Sequence, residues 1–174
     1  MKKRISSICT ILLCVATLAG CATPATHEAM TVQPRADAVV NPKLKGAIRV
    51  DAITGGKDTN PLWTSQVDNA GFKKALENSL AIAGYLVPAN GTAPYTLSAE
   101  LKELEQPLFG LTFDVKSSVV YKLTGKDSTK EYPVMVTGTA SVSDAFIAIE
   151  RLRIANERSI QENIKGLLKD LERF

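Results

Sequence analysis

The chain has 174 residues, a formal charge of +3, three cysteines, one histidine and one tryptophan. That length suits one folded unit, and 45% apolar against 22% charged residues is the balance of a globular protein. There is no G-X-Y period and no succession of long apolar segments, which excludes fibrous and multi-pass membrane classes.

Lys2, Lys3 and Arg4 open the chain, an apolar stretch runs from Ile8 to Leu18, and Leu18-Ala19-Gly20-Cys21 follows. A basic start, a short apolar core and small residues before a break are the pattern of an export signal over 1–20. The apolar run falls short of the roughly 20 residues that a spanning helix needs. Leu-Ala-Gly-Cys resembles a bacterial lipobox. The resemblance implies cleavage between Gly20 and Cys21, acylation of Cys21 on sulfur and nitrogen, and attachment to a membrane by lipid. Two or more acyl chains anchor stably where one does not. Ala22 resembles the outer-membrane sorting signal of such proteins, which implies a domain facing the periplasm.

The cut changes the charge. Taking Lys2, Lys3 and Arg4 from the 21 basic residues leaves 18 against 18 acidic ones. The processed chain is neutral, and Cys9 and Cys14 leave with the signal. With basic residues also spread out, nucleic acid is a poor partner.

Residues 21–45 read as the lipidated cysteine and a flexible tether. Ala, Thr and Pro dominate, no period is visible, and a free chain of this length spans roughly 25–30 Å. A globular domain over 46–174 follows. Ile48, Val50 and Ala52 alternate with Arg49 and Asp51, as in a half-buried strand. Ser65 is the expected N-cap of a helix running to about Ala83, with Phe72, Ala75, Leu76, Ser79 and Leu80 on one face and Gly84 as its stop. Tyr85-Leu86-Val87 reads as a short strand. Three longer strands follow, with Tyr95, Leu97, Ala99 and Leu101, then Val115, Ser117, Val119, Tyr121 and Leu123, then Val134, Val136, Gly138 and Ala140 on their inner faces. A last helix is expected from near Asp144 to about Glu172. Its stripe is Ile149, Leu152, Ile160, Ile164, Leu167 and Leu171, and the off-stripe Ile147 and Ile154 suggest fuller burial of its first turns. The fold class is α+β: a two-layer sandwich, two amphipathic helices on one face of a mainly antiparallel four- or five-stranded sheet.

Chemistry is sparse. The only histidine, His27, falls in the tether, so a Ser-His-Asp, Cys-His or zinc arrangement within the domain is not expected. Thr54-Gly55-Gly56-Lys57-Asp58-Thr59 lacks the first glycine and the hydroxyl residue after lysine of a phosphate loop. Glu103 and Glu105, at a strand end with Glu100 and Lys102, are the one carboxylate pair with hydrolase spacing, and a solvated strand end explains them as well. We expect no catalytic residue, cofactor or metal. Leu108, Phe109 and Leu111 occupy a link where polar residues are usual, and Trp63 sits at the mouth of the first helix. These four are the candidate partner contacts.

Asn60-Pro61-Leu62-Trp63-Thr64-Ser65, with Val67, Asn69, Phe72, Ala75-Leu76 and Ser79-Leu80, resembles small proteobacterial lipoproteins of the YajG-like and ABC-transport auxiliary kind. Arg153, Ala155, Glu157, Ser159-Ile160, Asn163-Ile164 and Leu167-Leu168 match the pattern of their last helix. The resemblance covers most of 48–172 and implies an accessory binding module in envelope assembly or transport, working with an envelope protein partner. It carries no active site. A carrier of a small ligand or lipid, with a cavity between helices and sheet, is the alternative.

Overall fold

The computed structural model describes residues 22–62 and 64–174. The expected export signal over 1–20, the expected cleavage and acylation site at Gly20 and Cys21, and Trp63 lie outside the described residues. In chain order the elements are α1 (His27–Met30), β1 (Ile48–Thr54), α2 (Asn69–Ile82), β2 (Tyr95–Glu105), β3 (Thr112–Thr124), β4 (Thr129–Ser141) and α3 (Ala148–Leu171). The sheet order is β1-β2-β3-β4. β1 runs parallel to β2, with α2 as the crossover, and the β2–β3 and β3–β4 pairings are antiparallel. Tyr85–Val87 does not add a fifth strand: Leu86 makes a single parallel bridge to Ile48.

Alternation builds the core. Phe113, Val115, Ser117, Val119, Tyr121 and Leu123 of β3 are buried, while Thr112, Asp114, Lys116, Lys122 and Thr124 on the other face are exposed. Tyr121 joins the layers. Its ring meets Phe72 of α2 edge-on at 6.3 Å, and its hydroxyl donates to Asn163 Oδ1 of α3 at 2.9 Å. Both helices therefore lie on the same face. Asn163 Nδ2 donates in turn to the Val134 carbonyl (3.1 Å) and to Ser117 Oγ (3.1 Å), so a buried amide is satisfied across three elements. Burial pushes the Tyr121 phenol well above its ordinary pKa. At Gly138 the α3 backbone comes so near β4 that a Cβ would collide with the backbone of Ala155 and Ser159. A smaller core of Phe113, Val115, Ala140, Leu152 and Ala155 lies apart from the main one.

The expected tether is corrected by the structure. Residues 22–45 form an arm packed on the domain, with Ala22, Ala25, Met30, Val32 and Leu44 buried. The Thr26 N–H and hydroxyl donate to Glu157 Oε1 (2.9 and 3.0 Å), and Gln161 Nε2 donates to the Ala29 and Thr31 carbonyls. The Val32 N–H donates to Ser79 Oγ at 2.9 Å, and Asn41 Nδ2 to the Phe174 carbonyl at 3.1 Å. An arm held by scattered single contacts has no hydrophobic period, so composition alone reads it as unordered.

Two helix starts also move. The N-cap of α2 is Asp68, whose side chain accepts from the Gly71 N–H at 2.7 Å, while Ser65 is buried ahead of it. α3 begins at Ala148 rather than near Asp144. Asp144 instead closes a turn, with the Ser141 N–H donating to its Oδ2 at 2.8 Å. Ile147 becomes the N-cap and is exposed, which reverses the expectation that the first residues of this helix are the more buried.

Candidate interaction surface

The β2–β3 link carries Gln106-Pro107-Leu108-Phe109-Gly110-Leu111. Gly110 has φ +147°, a conformation that L side chains rarely adopt, so the reversal ahead of β3 depends on glycine. Leu108, Phe109 and Leu111 are 86%, 84% and 74% exposed, as an uncovered contact surface requires. Thr112 pairs with Ser141 at the adjoining end of β3–β4, which brings the β4–α3 link alongside. That link adds Phe146, 91% exposed, and Ile147.

One buried side chain joins the two links. Arg151, in the second turn of α3, donates from Nη1 to the Ala145 and Phe146 carbonyls (3.0 and 2.7 Å) and from Nη2 to the Gly110 carbonyl (3.1 Å). Its guanidinium also lies 5.2 Å from the Phe113 ring centroid. Among the described residues no carboxylate pairs with it. Its charge is met by carbonyls and an aromatic face, and the bonds run to the backbone that presents the exposed side chains.

The same end is braced from two further directions. Asp144 Oδ1 pairs with Arg158 Nη2 at 2.6 Å, and Arg158 Nη1 donates to the Thr139 carbonyl at 2.7 Å. The guanidinium beside Asp144 and the Ser141 N–H hold its carboxyl down to about 2, from an ordinary 3.8. Gln106 Nε2 donates to the Ser65 carbonyl (2.9 Å) and to Asn156 Oδ1 (2.8 Å), and the Thr64 hydroxyl donates to Gln106 Oε1 (3.2 Å). The loop that bears Trp63 is thereby fastened to the base of the β2–β3 link. Its neighbour Leu62 is exposed.

Leu108, Phe109 and Leu111, singled out in the sequence, are exposed here together with Phe146 and Ile147, which were not singled out, as Arg151 was not. The missed signal is a basic residue close to a helix N-terminus, where the helix dipole disfavours it unless it has other work.

The remaining candidates lie elsewhere. Glu103 and Glu105 are exposed on β2, and Glu105 pairs with Lys116 at 3.1 Å across the sheet. His27 belongs to α1 on the packed arm, not to a tether, and its Nε2 lies 3.1 Å from Glu28 Oε1. Among the described residues no cluster of three or more metal-ligating side chains occurs, and no helix is long and apolar enough to cross a membrane. A cavity of about 490 Å³ lies between the arm, the end of α2 and the C-terminal half of α3. Val32, Val39, Val40, Ile82 and Leu168 line it, with Lys165 and Lys169 among its polar residues.

No family model matches the chain, and no curated protein does. Solved structures do resemble it. An uncharacterized protein superposes with a TM-score of 0.52 at 8% identity, over 74% of this chain and 94% of its own. A candidate lipoprotein of Caulobacter crescentus CB15 has a TM-score of 0.48 at 17% identity, covering 75% of this chain and 91% of its own. A DUF330-family protein from Xanthomonas campestris has a TM-score of 0.47 at 10% identity, over 79% and 92%. The likeness to the first of these is one of fold alone.

Proposed function

We propose that this protein is a lipid-anchored, non-enzymatic accessory module of the bacterial envelope, serving assembly or transport by binding rather than by catalysis. In this reading acylated Cys21 attaches it to the outer membrane with the domain facing the periplasm, as in the YajG-like and ABC-transport auxiliary lipoproteins that the sequence resembles. The observation that carries the binding role is the uncovered apolar end at Leu108, Phe109, Leu111, Phe146 and Ile147, displayed on links that Arg151 ties together. Exposed apolar patches on monomers are seldom without use.

Two substitutions test the reading. Phe109→Asp leaves the exposed link folded and lowers recovery of whatever the apolar end engages, measured by crosslinking and co-purification from cells. Unchanged recovery removes this end from the proposal. Cys21→Ala releases the protein from the membrane fraction, and persistent attachment refutes the lipid anchor.

The cavity behind the arm favours a second reading, a carrier of a small apolar ligand. Native mass spectrometry of the purified protein detects a co-purified ligand if this is its role, and repeated absence of one counts against it.

A further inference from the structure

We infer that the occupant of the apolar end is the lipid leaflet that holds the anchor: Leu108, Phe109, Leu111 and Phe146 dip into it and fix the orientation of the domain. The inference rests on the lipid-anchored reading above and names the partner of that same surface.

The path of the arm is the first argument. Thr26 bonds Glu157, Ala29 and Thr31 bond Gln161, and Arg35 and Asn41 reach Glu172 and the C-terminal carbonyl. The arm thus runs parallel to α3, and going backwards along it leads toward the α3 N-terminus. Glu157 stands about 14 Å along the helix from Ala148. Ahead of Thr26 the arm turns onto the β1–α2 loop, where the Ala25 N–H donates to the Gln66 carbonyl at 3.0 Å, and this loop leaves the sheet at the end where β2 gives way to the β2–β3 link. The Ala22 N–H donates to the Pro61 carbonyl at 2.7 Å, on the loop that Thr64 fastens to Gln106. Cys21 is the residue bonded to Ala22. Ala22, the described residue next in sequence to the proposed acylation point, and the apolar links therefore share one end of the molecule.

The chemistry of the links is the second argument. Residues 106–113 and 145–149 contain no charged side chain. Moving backbone into hydrocarbon is costly where carbonyls lack partners, and here those of Gly110, Ala145 and Phe146 are already bonded by the buried guanidinium. A protein-binding patch usually mixes apolar anchors with a hydrogen-bonding rim. This tip offers uncharged apolar surface, with three of its carbonyls turned inward onto Arg151.

The full acylated protein, reconstituted in vesicles of phosphatidylethanolamine and phosphatidylglycerol, tests the inference. Leu108→Cys and Lys126→Cys carry an environment-sensitive fluorophore at opposite ends of β3, one in the apolar link and one in the exposed β3–β4 turn. The label at 108 loses emission to nitroxide-bearing lipid and is shielded from aqueous iodide, and the label at 126 shows the reverse. Adding Phe109→Asp and Phe146→Asp abolishes the difference, which rules out insertion driven by the fluorophore. Equal iodide quenching at 108 and 126 overturns the inference. A photoreactive residue at 109 that captures a protein instead of lipid in cells also overturns it, while leaving the binding module intact. Failure of the anchored reading is separate, because it shows as Cys21→Ala protein that stays with the membrane.

Discussion

At one end of the sandwich Leu108, Phe109 and Phe146 stand out into solvent on two links joined by Arg151. At the other end Val32, Val39 and Ile82 line a cavity of about 490 Å³, partly roofed by the arm of the same chain. Both ends are apolar, and they differ in shape and in what supports them. The first projects outward, and its Gly110, Ala145 and Phe146 carbonyls are bonded inward to Arg151. The second is concave, and its roof is held at one side by the Val32 N–H on Ser79 Oγ and at the other by Asn41 on the Phe174 carbonyl, with a solvent-facing pair between, Arg35 Nη2 to Glu172 Oε2 at 3.3 Å, of the kind that adds little stability. A projecting apolar surface suits insertion into or docking on something larger, whereas a hollow suits admission of something smaller. The contrast teaches that one fold can present its apolar surface as a projection at one end and as a hollow at the other.

The largest expected effect concerns the arm. Met30→Ala removes a fully buried side chain from the main core and should cost about 3 kcal/mol in urea unfolding. A free tether would show no change at all, so this one substitution decides whether the arm end belongs to the fold. A smaller effect is expected at the opposite end. Arg151→Met keeps most of the buried stem but deletes three hydrogen bonds to carbonyls. Relief of a buried charge offsets part of that loss, leaving a net cost of about 2 kcal/mol. Proteolysis should then cut near Phe109 before the domain unfolds. A cut rate that follows global unfolding breaks the claim that Arg151 supports this end locally.

Legibility follows the same division. The inner faces of β2, β3 and β4 were plain in the sequence, because a strand buried on one side must alternate, as Val115, Val119, Tyr121 and Leu123 do. The α2 stripe of Phe72, Ala75, Leu76 and Leu80 was plain for the equivalent helical reason. Contacts that obey no period were hidden. Met30, Val32 and Leu44 each fill a separate gap, and Ser65 and Asp68 are both good cap residues that only tertiary packing distinguishes. The parallel β1–β2 pairing likewise depends on the path of α2, which no local pattern encodes. Of the apolar end, Leu108, Phe109 and Leu111 were visible as apolar residues in a link. Phe146 and Ile147 were absorbed into a helix expected to start four residues early, since Asp144 resembles a cap and closes a turn instead.

That turn supplies the subtlest way to sharpen the comparison. The Asp144 carboxyl is held at about 2, against an ordinary 3.8, first by its hydrogen bond to Arg158 and then by the Ser141 N–H. A carboxyl depressed by folding contributes stability that is fully present above its unfolded value and is lost as the pH falls through the folded one. Acidification from 3.8 toward 2 should therefore loosen the β4–α3 link that carries Phe146. Asp144→Asn removes the pair with Arg158, so the variant is weaker at neutral pH and changes less across that window. Hydrogen exchange at the Ser141 and Ala145 amides measures this directly, because the Ser141 N–H bonds the carboxylate and the Ala145 N–H closes the same turn. If these amides in Asp144→Asn keep the acid response of the parent, the carboxylate is not what holds the projecting end in shape. If they lose it while the Val32 amide at the arm end is unaffected, the two ends are secured independently, as their separate hydrogen-bond partners imply.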